Sequence, residues 1–295
     1  MKVAVSGASG FIGAAVVRRL EASGHQVSRM VRGNARPGEI HWIPAGALDA
    51  ASLEGFDAVV HLAAENISGR WTATKKARIL NSRVQGTLTI AAMLARLQQK
   101  PKVLVSASAI GFYGSRGDEN LDESSAPGSD FLAEVARQWE SATEAASRAG
   151  IRVALVRFGV VLGASGGALK QMLGPFQMGV GGRIGSGQQW MSWVGLEDAA
   201  GAVEHAIVND AVRGPVNVVA PNPVRNTEFT KTLGEVLHRP TVFPMPEFAV
   251  KVAFGEMGVS LLLGSQRVMP KKLQESGYQF RFPELRAALE NSIGR

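Results

Sequence analysis

The sequence of 295 residues contains no cysteine, few aromatic residues (6%) and no apolar run of membrane-spanning length. The absence of cysteine excludes disulfides, thiolate nucleophiles and cysteine-based metal sites. The five histidines show no metal-binding spacing, so we expect no metal. The apolar stretch at the N-terminus is too short for a secretory signal, and a cytoplasmic protein without a membrane segment is the default expectation.

Acidic residues are in the minority, since 32 Lys and Arg stand against 25 Asp and Glu and give a net charge of +7. Clustered basic residues would indicate a nucleic-acid partner. Here they are scattered, for example Arg18, Lys75 and Lys271, and few aromatic residues accompany them for base stacking. We therefore expect a solvated basic surface, a small-molecule substrate and no nucleic-acid partner.

Short Val, Ile, Leu and Ala runs alternate with longer amphipathic stretches through the first two-thirds of the chain. Such runs, which lack polar alternation, are typical of parallel strands covered on both faces. The predicted strands are Lys2–Ser6, Gln26–Val31, Ile40–Ile43, Ala58–Leu62, Lys102–Ala107, Arg152–Val156 and Val216–Val219. The clearest predicted helices are Phe11–Ser23, Asn81–Gln99 and Asp130–Ala149, each followed by Gly or Pro.

The composition changes after about residue 159. Glycine-rich segments at 163–167 and 179–187 are predicted to be loops whose shape follows a neighbouring group. Pro240, Pro244 and Pro246 indicate a joint between two parts of the chain. Beyond the joint, 248–263 is expected to form one or two apolar helices. The predicted organisation is a domain at 1–240, with substrate-side elements inserted after about 159, and a small C-terminal domain at 241–295.

A glycine motif, SGASGFIG, lies between the first predicted strand and the first predicted helix. Gly7 permits a sharp turn, Gly10 permits close approach of a pyrophosphate, and Gly13 permits close packing of helix on sheet. Backbone N–H groups at the helix start, around Ser9 to Ile12 and including Phe11, would bind the phosphates. The motif predicts a dinucleotide site; the alternative is a glycine-rich turn without a ligand.

No carboxylate occurs between Glu21 and Glu39, where an NAD site normally has an acid for the ribose hydroxyl. The end of the second predicted strand instead offers arginines, of which Arg32 is the first choice and Arg29 and Arg36 are open alternatives. A guanidinium matches a 2′-phosphate in charge and geometry. The expected cofactor is therefore NADP(H).

Several motifs occur in the order found in extended short-chain dehydrogenases/reductases: SGASGFIG, DAVVHLAAEN (57–66), SRVQGT (82–87), LVSASAIGFYG (104–114) and LDESS (121–125). The later RFGVVLG (157–163), GSGQQWMSWVGLEDAA (185–200) and GSQRVMPKKLQESGYQF (264–280) more narrowly resemble the atypical epimerase-family proteins of that superfamily, some of which carry the label cell-division inhibitor. The resemblance implies an α/β fold with a Rossmann-type doubly wound parallel sheet and a smaller C-terminal substrate-side region. It also implies cofactor contacts from Leu62, Ala63, Ala64, Arg83 and either Val160 or Val161, although each has a structural alternative.

The proton-transferring pair of that superfamily, a tyrosine with a lysine four residues later, is missing. Four residues after Tyr113 lies Gly117, and four after Tyr278 lies Phe282. Ser108 matches the family serine that polarises a substrate oxygen, and Tyr113 is a candidate replacement acid or aromatic wall. The helix that should carry the pair contains Glu134, Arg137 and Glu140, whose spacing favours a salt-bridged surface.

The segment 185–194 combines amide and indole side chains with flanking glycines. Gln189, Trp190 and Trp193 are candidate contacts for a polar, sugar-like substrate, although a packed corner would have the same composition. Two functions remain open at this point. One is an NADP(H)-dependent oxidoreductase or epimerase without the Tyr/Lys pair, and the other is an NADPH-binding regulatory protein without turnover.

Overall fold

A parallel sheet of seven strands forms the centre of the protein, in the order β11-β7-β5-β4-β1-β2-β3. The structure is a computed structural model, and it describes residues 1–44, 46 and 49–294. The strands are β1 (Lys2–Ser6), β2 (Gln26–Val31), β3 (Ile40–His41), β4 (Ala58–His61), β5 (Val103–Ala109), β6 (Asn120–Leu121), β7 (Arg152–Phe158), β8 (Val160–Leu162), β9 (Trp190–Met191), β10 (Trp193–Gly195), β11 (Gly214–Val218), β12 (Val224–Arg225) and β13 (Arg267–Val268). The helices are α1 (Phe11–Ala22), α2 (Ala73–Arg96), α3 (Phe131–Ser141), α4 (Glu144–Arg148), α5 (Gly167–Gln177), α6 (Leu196–Val208), α7 (Asn226–Leu237), α8 (Glu247–Leu262), α9 (Lys271–Glu275) and α10 (Leu285–Ile293).

The two faces of the sheet bury different hydrophobic clusters. One cluster joins the sheet to α1 and α6, and the other joins it to α2 and α4. Because both faces are covered, the central strands read as continuous apolar runs in the sequence. This arrangement confirms the predicted fold class, a doubly wound Rossmann-type sheet. No helix in the part of the chain that the structure describes is long and apolar enough to cross a membrane.

The strand order reverses between β1 and β4, which lie side by side with Ser6 opposite His61. In such sheets the ligand crevice opens beyond the carboxyl ends of the strands at this point of reversal. The loops that follow β1, β2, β4 and β5 therefore all reach one edge of the sheet. That edge carries most of the predicted site residues.

The predicted strands β1 and β2 have the bounds that the sequence indicated, and two predicted helices differ. Helix α2 begins at Ala73 rather than Asn81, because the hydroxyl of Thr72 caps it by accepting from the Lys75 N–H at 3.2 Å. The helix predicted over 130–149 is interrupted at Ala142 and Thr143. There the Thr143 hydroxyl donates to the Glu140 carbonyl at 2.7 Å, a local bond that competes with the helical ladder.

Residues beyond 240 pack closely on the rest of the chain. Strand β13 pairs with β6, and α10 lies in a hydrophobic cluster with α7. The apolar segment predicted beyond the joint is α8, in which Gly255 adopts a non-helical conformation with φ of 59°. The proposed boundary between residues 240 and 241 remains a prediction.

Candidate functional site

The glycine loop folds tightly against the turn that follows β4. A Cβ on Gly7 would lie 2.8 Å from the Ala63 nitrogen, and Gly7 has a φ of +71°, so this position requires glycine. A Cβ on Gly13 would lie 2.0 Å from the Gly7 carbonyl oxygen. Leu62 and Ala63 therefore lie directly against the glycine motif, and their predicted contact with the cofactor stays a prediction.

The N-terminus of α1 is available to an anion. Gly10 is the N-cap, it has no side chain to cap the helix, and the first turn contains no acidic residue. Ser9 and Gly10 are exposed, and Phe11 and Ile12 are half-buried. The N–H groups and dipole of this helix end fit a phosphate. The residues present therefore fit a dinucleotide.

The glycines at 163–167 are shaped around the ring of Phe11. A Cβ on Gly163 would lie 2.8 Å from this ring, and a Cβ on Gly166 would lie 2.6 Å from it. Part of the glycine-rich sequence after residue 159 thus accommodates a protein side chain. The ring in turn helps to fix the start of α1, and it leaves the Phe11 N–H as the group through which this residue would meet a phosphate.

Arg32 is exposed directly after β2, the strand beside β1. Within the described residues no hydrogen bond or ion pair engages its guanidinium. Arg29 differs, since it lies 3.9 Å from Glu21. Arg36 is also exposed, and within the described residues only its backbone N–H has a partner, Glu39. Arg32 stays the first choice for the added phosphate because it directly follows β2, and Arg36 stays an alternative.

Three further predicted cofactor residues, Ala64, Val160 and Val161, lie at loop or strand positions after β4 and β7. Val160 is half-buried, and its N–H donates to the Ser192 carbonyl at 2.9 Å. Arg83 donates to the carbonyls of Glu65 at 3.0 Å and Ile79 at 3.1 Å. Burial lowers the pKa of Arg83 to about 10. Its guanidinium therefore supports the loop after β4 directly, whereas a contact with phosphate or ribose stays a prediction.

A buried polar network occupies the end of β5. The hydroxyl of Ser108 donates to Oε1 of Glu140 at 2.6 Å. Arg157 on β7 donates to both carboxylate oxygens of Glu140, at 2.7 and 2.8 Å. Ser108 and Arg157 are each 2% exposed, so a charged pair and its hydroxyl partner are almost removed from water. The expectation that Glu140 belongs to a surface salt bridge is wrong; that description fits Glu134 and Arg137 instead.

Tyr113 belongs to this network and is fully buried. Its hydroxyl donates to Oδ1 of Asn217 at 2.7 Å and accepts from Arg157 at 2.9 Å. Burial raises the pKa of Tyr113 to about 12, an effect that Arg157 partly opposes. The prediction of Tyr113 as a replacement acid or aromatic wall is therefore corrected, because the phenol supports Arg157 from inside the protein.

The predicted substrate residues separate into two kinds. Trp193 is fully buried and donates to the Asn222 carbonyl at 3.0 Å, and Gln189 is buried with its amide donating to the carbonyls of Ile184 and Leu262. These two side chains are packed corners, which corrects their assignment to the substrate. Trp190 is half-buried and remains a candidate contact.

Trp190 lies between charged groups. The guanidinium carbons of Arg225 and Arg267 lie 4.3 and 4.5 Å from its ring centroid, and its Nε1 donates to Asp118 at 2.8 Å. The Trp190 carbonyl accepts from the N–H of Gln266, whose amide donates to the carbonyls of Ile110 and Gly114 in the turn after β5. The structure thus joins Trp190 to the turn that follows β5, the strand whose end carries Ser108.

His61 lies beneath the glycine loop at the end of β4. It is fully buried, its Nδ1 lies 2.6 Å from the Ser6 hydroxyl, and its Nε2 has no hydrogen-bond partner within the described residues. Burial lowers the pKa of His61 to about 4. The imidazole is therefore neutral in the folded protein at neutral pH.

The buried His61 makes stability depend on pH. The unfolded chain takes up the His61 proton near pH 6.5, whereas the folded protein resists it down to about pH 4. As the pH falls through this window, the free energy of unfolding should decrease by up to about 3 kcal/mol, and the contribution should level off below it. Urea unfolding at several pH values between 7 and 4 should show that the free energy of unfolding falls less steeply with pH for His61→Asn than for the wild type. Equal slopes would contradict the neutral burial of His61.

The sequence interpretation assigned Glu140 to the surface and did not single out Arg157, although each residue had a signal. Glu140 lies on the same helical face as the buried Ala133 and Ala136. Arg157 directly follows the apolar run of β7, a buried position that a charge occupies only with a counter-charge. Neither signal identifies the other residue as the partner.

Two family models match the chain. Residues 3–219 match the NAD dependent epimerase/dehydratase family, and residues 245–292 match a domain of unknown function, DUF1731. The first match includes the glycine loop, Arg32 and the Ser108 network. The second match includes α8 to α10.

Named relatives cover nearly the whole chain. Epimerase family protein Mb2239 of Mycobacterium bovis is 41% identical over 97% of this chain and 96% of its own length, and Epimerase family protein YfhF of Bacillus subtilis is 39% identical over 99% and 98%. The crystal structure of human epimerase family protein SDR39U1 (isoform 2) with NADPH has a TM-score of 0.92 and 36% identity, covering 100% of both chains.

Proposed function

Because the chain belongs to the NAD dependent epimerase/dehydratase family, we propose that it is an NADP(H)-dependent oxidoreductase or epimerase that acts on a hydroxyl or carbonyl group of a polar small molecule. The observation that carries this proposal is the exposed N-terminus of α1, which the glycine loop places beside Arg32 at the reversal of strand order. The NADPH named for the human relative supports the same cofactor.

The proposed cofactor contacts come from three segments. The N–H groups of Ser9, Phe11, Ile12 and Gly13 would hold the pyrophosphate, since the Gly10 N–H already donates to the Gly7 carbonyl at 2.9 Å. Arg32 would hold the 2′-phosphate, and Leu62 to Ala64 would line the crevice. Bound nicotinamide supplies or accepts a hydride. Ser108 at the same sheet edge would orient the reacting oxygen, and Trp190 would contact the substrate.

Replacement of Arg32 by Asp tests the cofactor assignment. Arg32→Asp should weaken NADPH binding roughly 10- to 100-fold, because one charge-assisted hydrogen-bonding group is exchanged for a repelling carboxylate. Binding of NADH should change little or improve. Calorimetric titration of both dinucleotides measures the preference.

The matched control is Arg18→Asp, which makes the same charge change at an exposed position of α1. It should leave the preference for NADPH over NADH intact. An Arg32→Asp protein that binds NADPH as the wild type does would remove the assignment of the 2′-phosphate.

The proposed partner is a small molecule in a cytoplasmic setting, without nucleic acid. The scatter of the basic residues along the chain supports the absence of nucleic acid, and two of them, Arg225 and Arg267, stack on the Trp190 ring.

A second candidate function is NADPH binding without turnover, in which the bound cofactor changes the surface offered to another protein. The missing tyrosine–lysine pair favours this candidate, as does the structural role of Tyr113, whose hydroxyl is held by Asn217 and Arg157. A turnover assay on protein that binds NADPH separates the two functions.

A further inference from the structure

We propose that Glu140 exchanges a proton with Ser108, and that this pair receives a hydroxyl group of the substrate in place of the missing tyrosine and lysine. The inference rests on the proposed oxidoreductase function and deepens it. It assigns Ser108 as the catalytic contact and Glu140 as the group that acts through it.

The direction of one hydrogen bond carries the argument. A serine hydroxyl has a single proton to donate, and Ser108 donates it to Oε1 of Glu140 at 2.6 Å. The remaining capacity of the Ser108 oxygen is to accept. The group that Ser108 can recognise is therefore a hydrogen-bond donor, such as an alcohol, whereas a carbonyl oxygen would need a donor from it.

The Glu140 carboxylate is held in a fixed orientation. Arg157 grips both of its oxygens, at 2.7 and 2.8 Å, and Arg157 is itself fixed by the Tyr113 hydroxyl at 2.9 Å and by the Phe112 ring, whose centroid lies 3.5 Å from the guanidinium carbon. Oε1 accepts from both Arg157 Nε and the Ser108 hydroxyl, and Oε2 accepts from Arg157 Nη2. The proton path from Ser108 to Glu140 is thus fixed by side chains from four elements: the end of β5, the turn after it, α3 and β7.

Few other titratable groups face Glu140. Arg157 on β7 adjoins Glu140 directly, and Tyr113 in the turn at 110–113 adjoins Arg157. Glu123 reaches the same network through Asn217, from whose N–H it accepts, and burial raises the pKa of Glu123. Arg157 is a cation, and burial keeps Tyr113 protonated by raising its pKa to about 12. Glu140 is the member of this set that accepts the Ser108 hydroxyl.

The proton and electron balance of the step is complete. In the oxidation of an alcohol, the C–H bond breaks and its hydride, with two electrons, goes to the nicotinamide ring of NADP⁺. The O–H proton passes to the Ser108 oxygen while the Ser108 proton passes to Oε1 of Glu140, and a carbonyl group forms. The reverse reaction returns the proton along the same path.

The test measures turnover by the full chain with NADP⁺ and a panel of hexoses, polyols and UDP-sugars, with NADPH fluorescence as the signal. Glu140→Gln should lower kcat at least about 100-fold, with the KM for NADP⁺ nearly unchanged. Glu140→Asp should restore part of the rate. The control is Glu134→Gln on the same helix, which should behave as the wild type.

Ser108→Ala tests the same proton path independently of any folding defect in Glu140→Gln. It removes the hydroxyl but leaves the ion pair of Glu140 with Arg157 intact. It should show the same loss of kcat with an unchanged Tm. A Glu140→Gln protein that keeps the wild-type kcat would overturn the proton path. The proton path would also be overturned if the wild type bound NADP⁺ but turned over no member of the panel. In that case the assignment of the cofactor site would still hold. Failure to bind NADP⁺ would instead overturn the proposed function.

Discussion

Gly10→Asp should abolish NADP(H) binding while the protein remains folded and at least as stable as the wild type. Gly10 is the N-cap of α1, with an extended backbone that aspartate adopts readily. An aspartate there accepts hydrogen bonds from the first-turn N–H groups and occupies the positions intended for the pyrophosphate. Like charges brought together cost several kcal/mol, so the affinity should fall by at least about two orders of magnitude.

Stability should move in the opposite direction from affinity. Aspartate at an N-cap is slightly better than glycine, by a few tenths of a kcal/mol, and its Cβ would meet the Gly7 oxygen at 3.2 Å, a contact that needs only a small shift. The control is Gln274→Glu, which adds a negative charge at an exposed position of α9. Thermal melts and calorimetric titrations of both variants measure the two effects. Retained NADPH binding by Gly10→Asp would show that the phosphates lie elsewhere.

Arg157→Ala should lower the free energy of unfolding by about 3–5 kcal/mol, the usual cost of breaking a buried ion pair by removing one member. Arg157 is 2% exposed, and its loss leaves the Glu140 carboxylate without a cation and the Tyr113 oxygen without a donor. The space vacated over the Phe112 ring adds to the cost. Urea unfolding with an unchanged m value would measure the effect.

The control for Arg157→Ala is Arg137→Ala, which removes a guanidinium from an exposed pair with Glu134. Exposed pairs contribute little, so its effect should stay below about 1 kcal/mol. If both variants lose the same small amount, the network around Glu140 does not hold α3 against β7, and the proton path loses its physical basis.

The sheet could be predicted from the sequence because its signals are local. The runs that form β1 and β2 are apolar without alternation, and the glycine motif between β1 and α1 sets the topology of the first unit. The ends of the helices were harder to predict from the sequence. The start of α2 depends on a single Thr72 cap, and the interruption after α3 depends on the bond from Thr143 to a carbonyl.

The cofactor half of the site was also local, since Gly7, Gly10, Gly13 and Arg32 follow consecutive strands. The chemical half was not. Glu140 and Arg157 meet only after α3 packs on the sheet, and no spacing within either segment names its partner. Burial likewise separates Trp190 from Gln189 and Trp193, although all three stand in one glycine-flanked segment.

The most direct test of the central claim is calorimetric titration of the wild-type protein with NADPH, NADP⁺, NADH and NAD⁺ at one ionic strength. The account predicts saturable binding of NADPH and NADP⁺, at least about tenfold tighter than that of the forms without the 2′-phosphate. Absence of binding by all four dinucleotides would contradict the account, and would mean that the glycine loop serves only to pack α1 against the turn after β4.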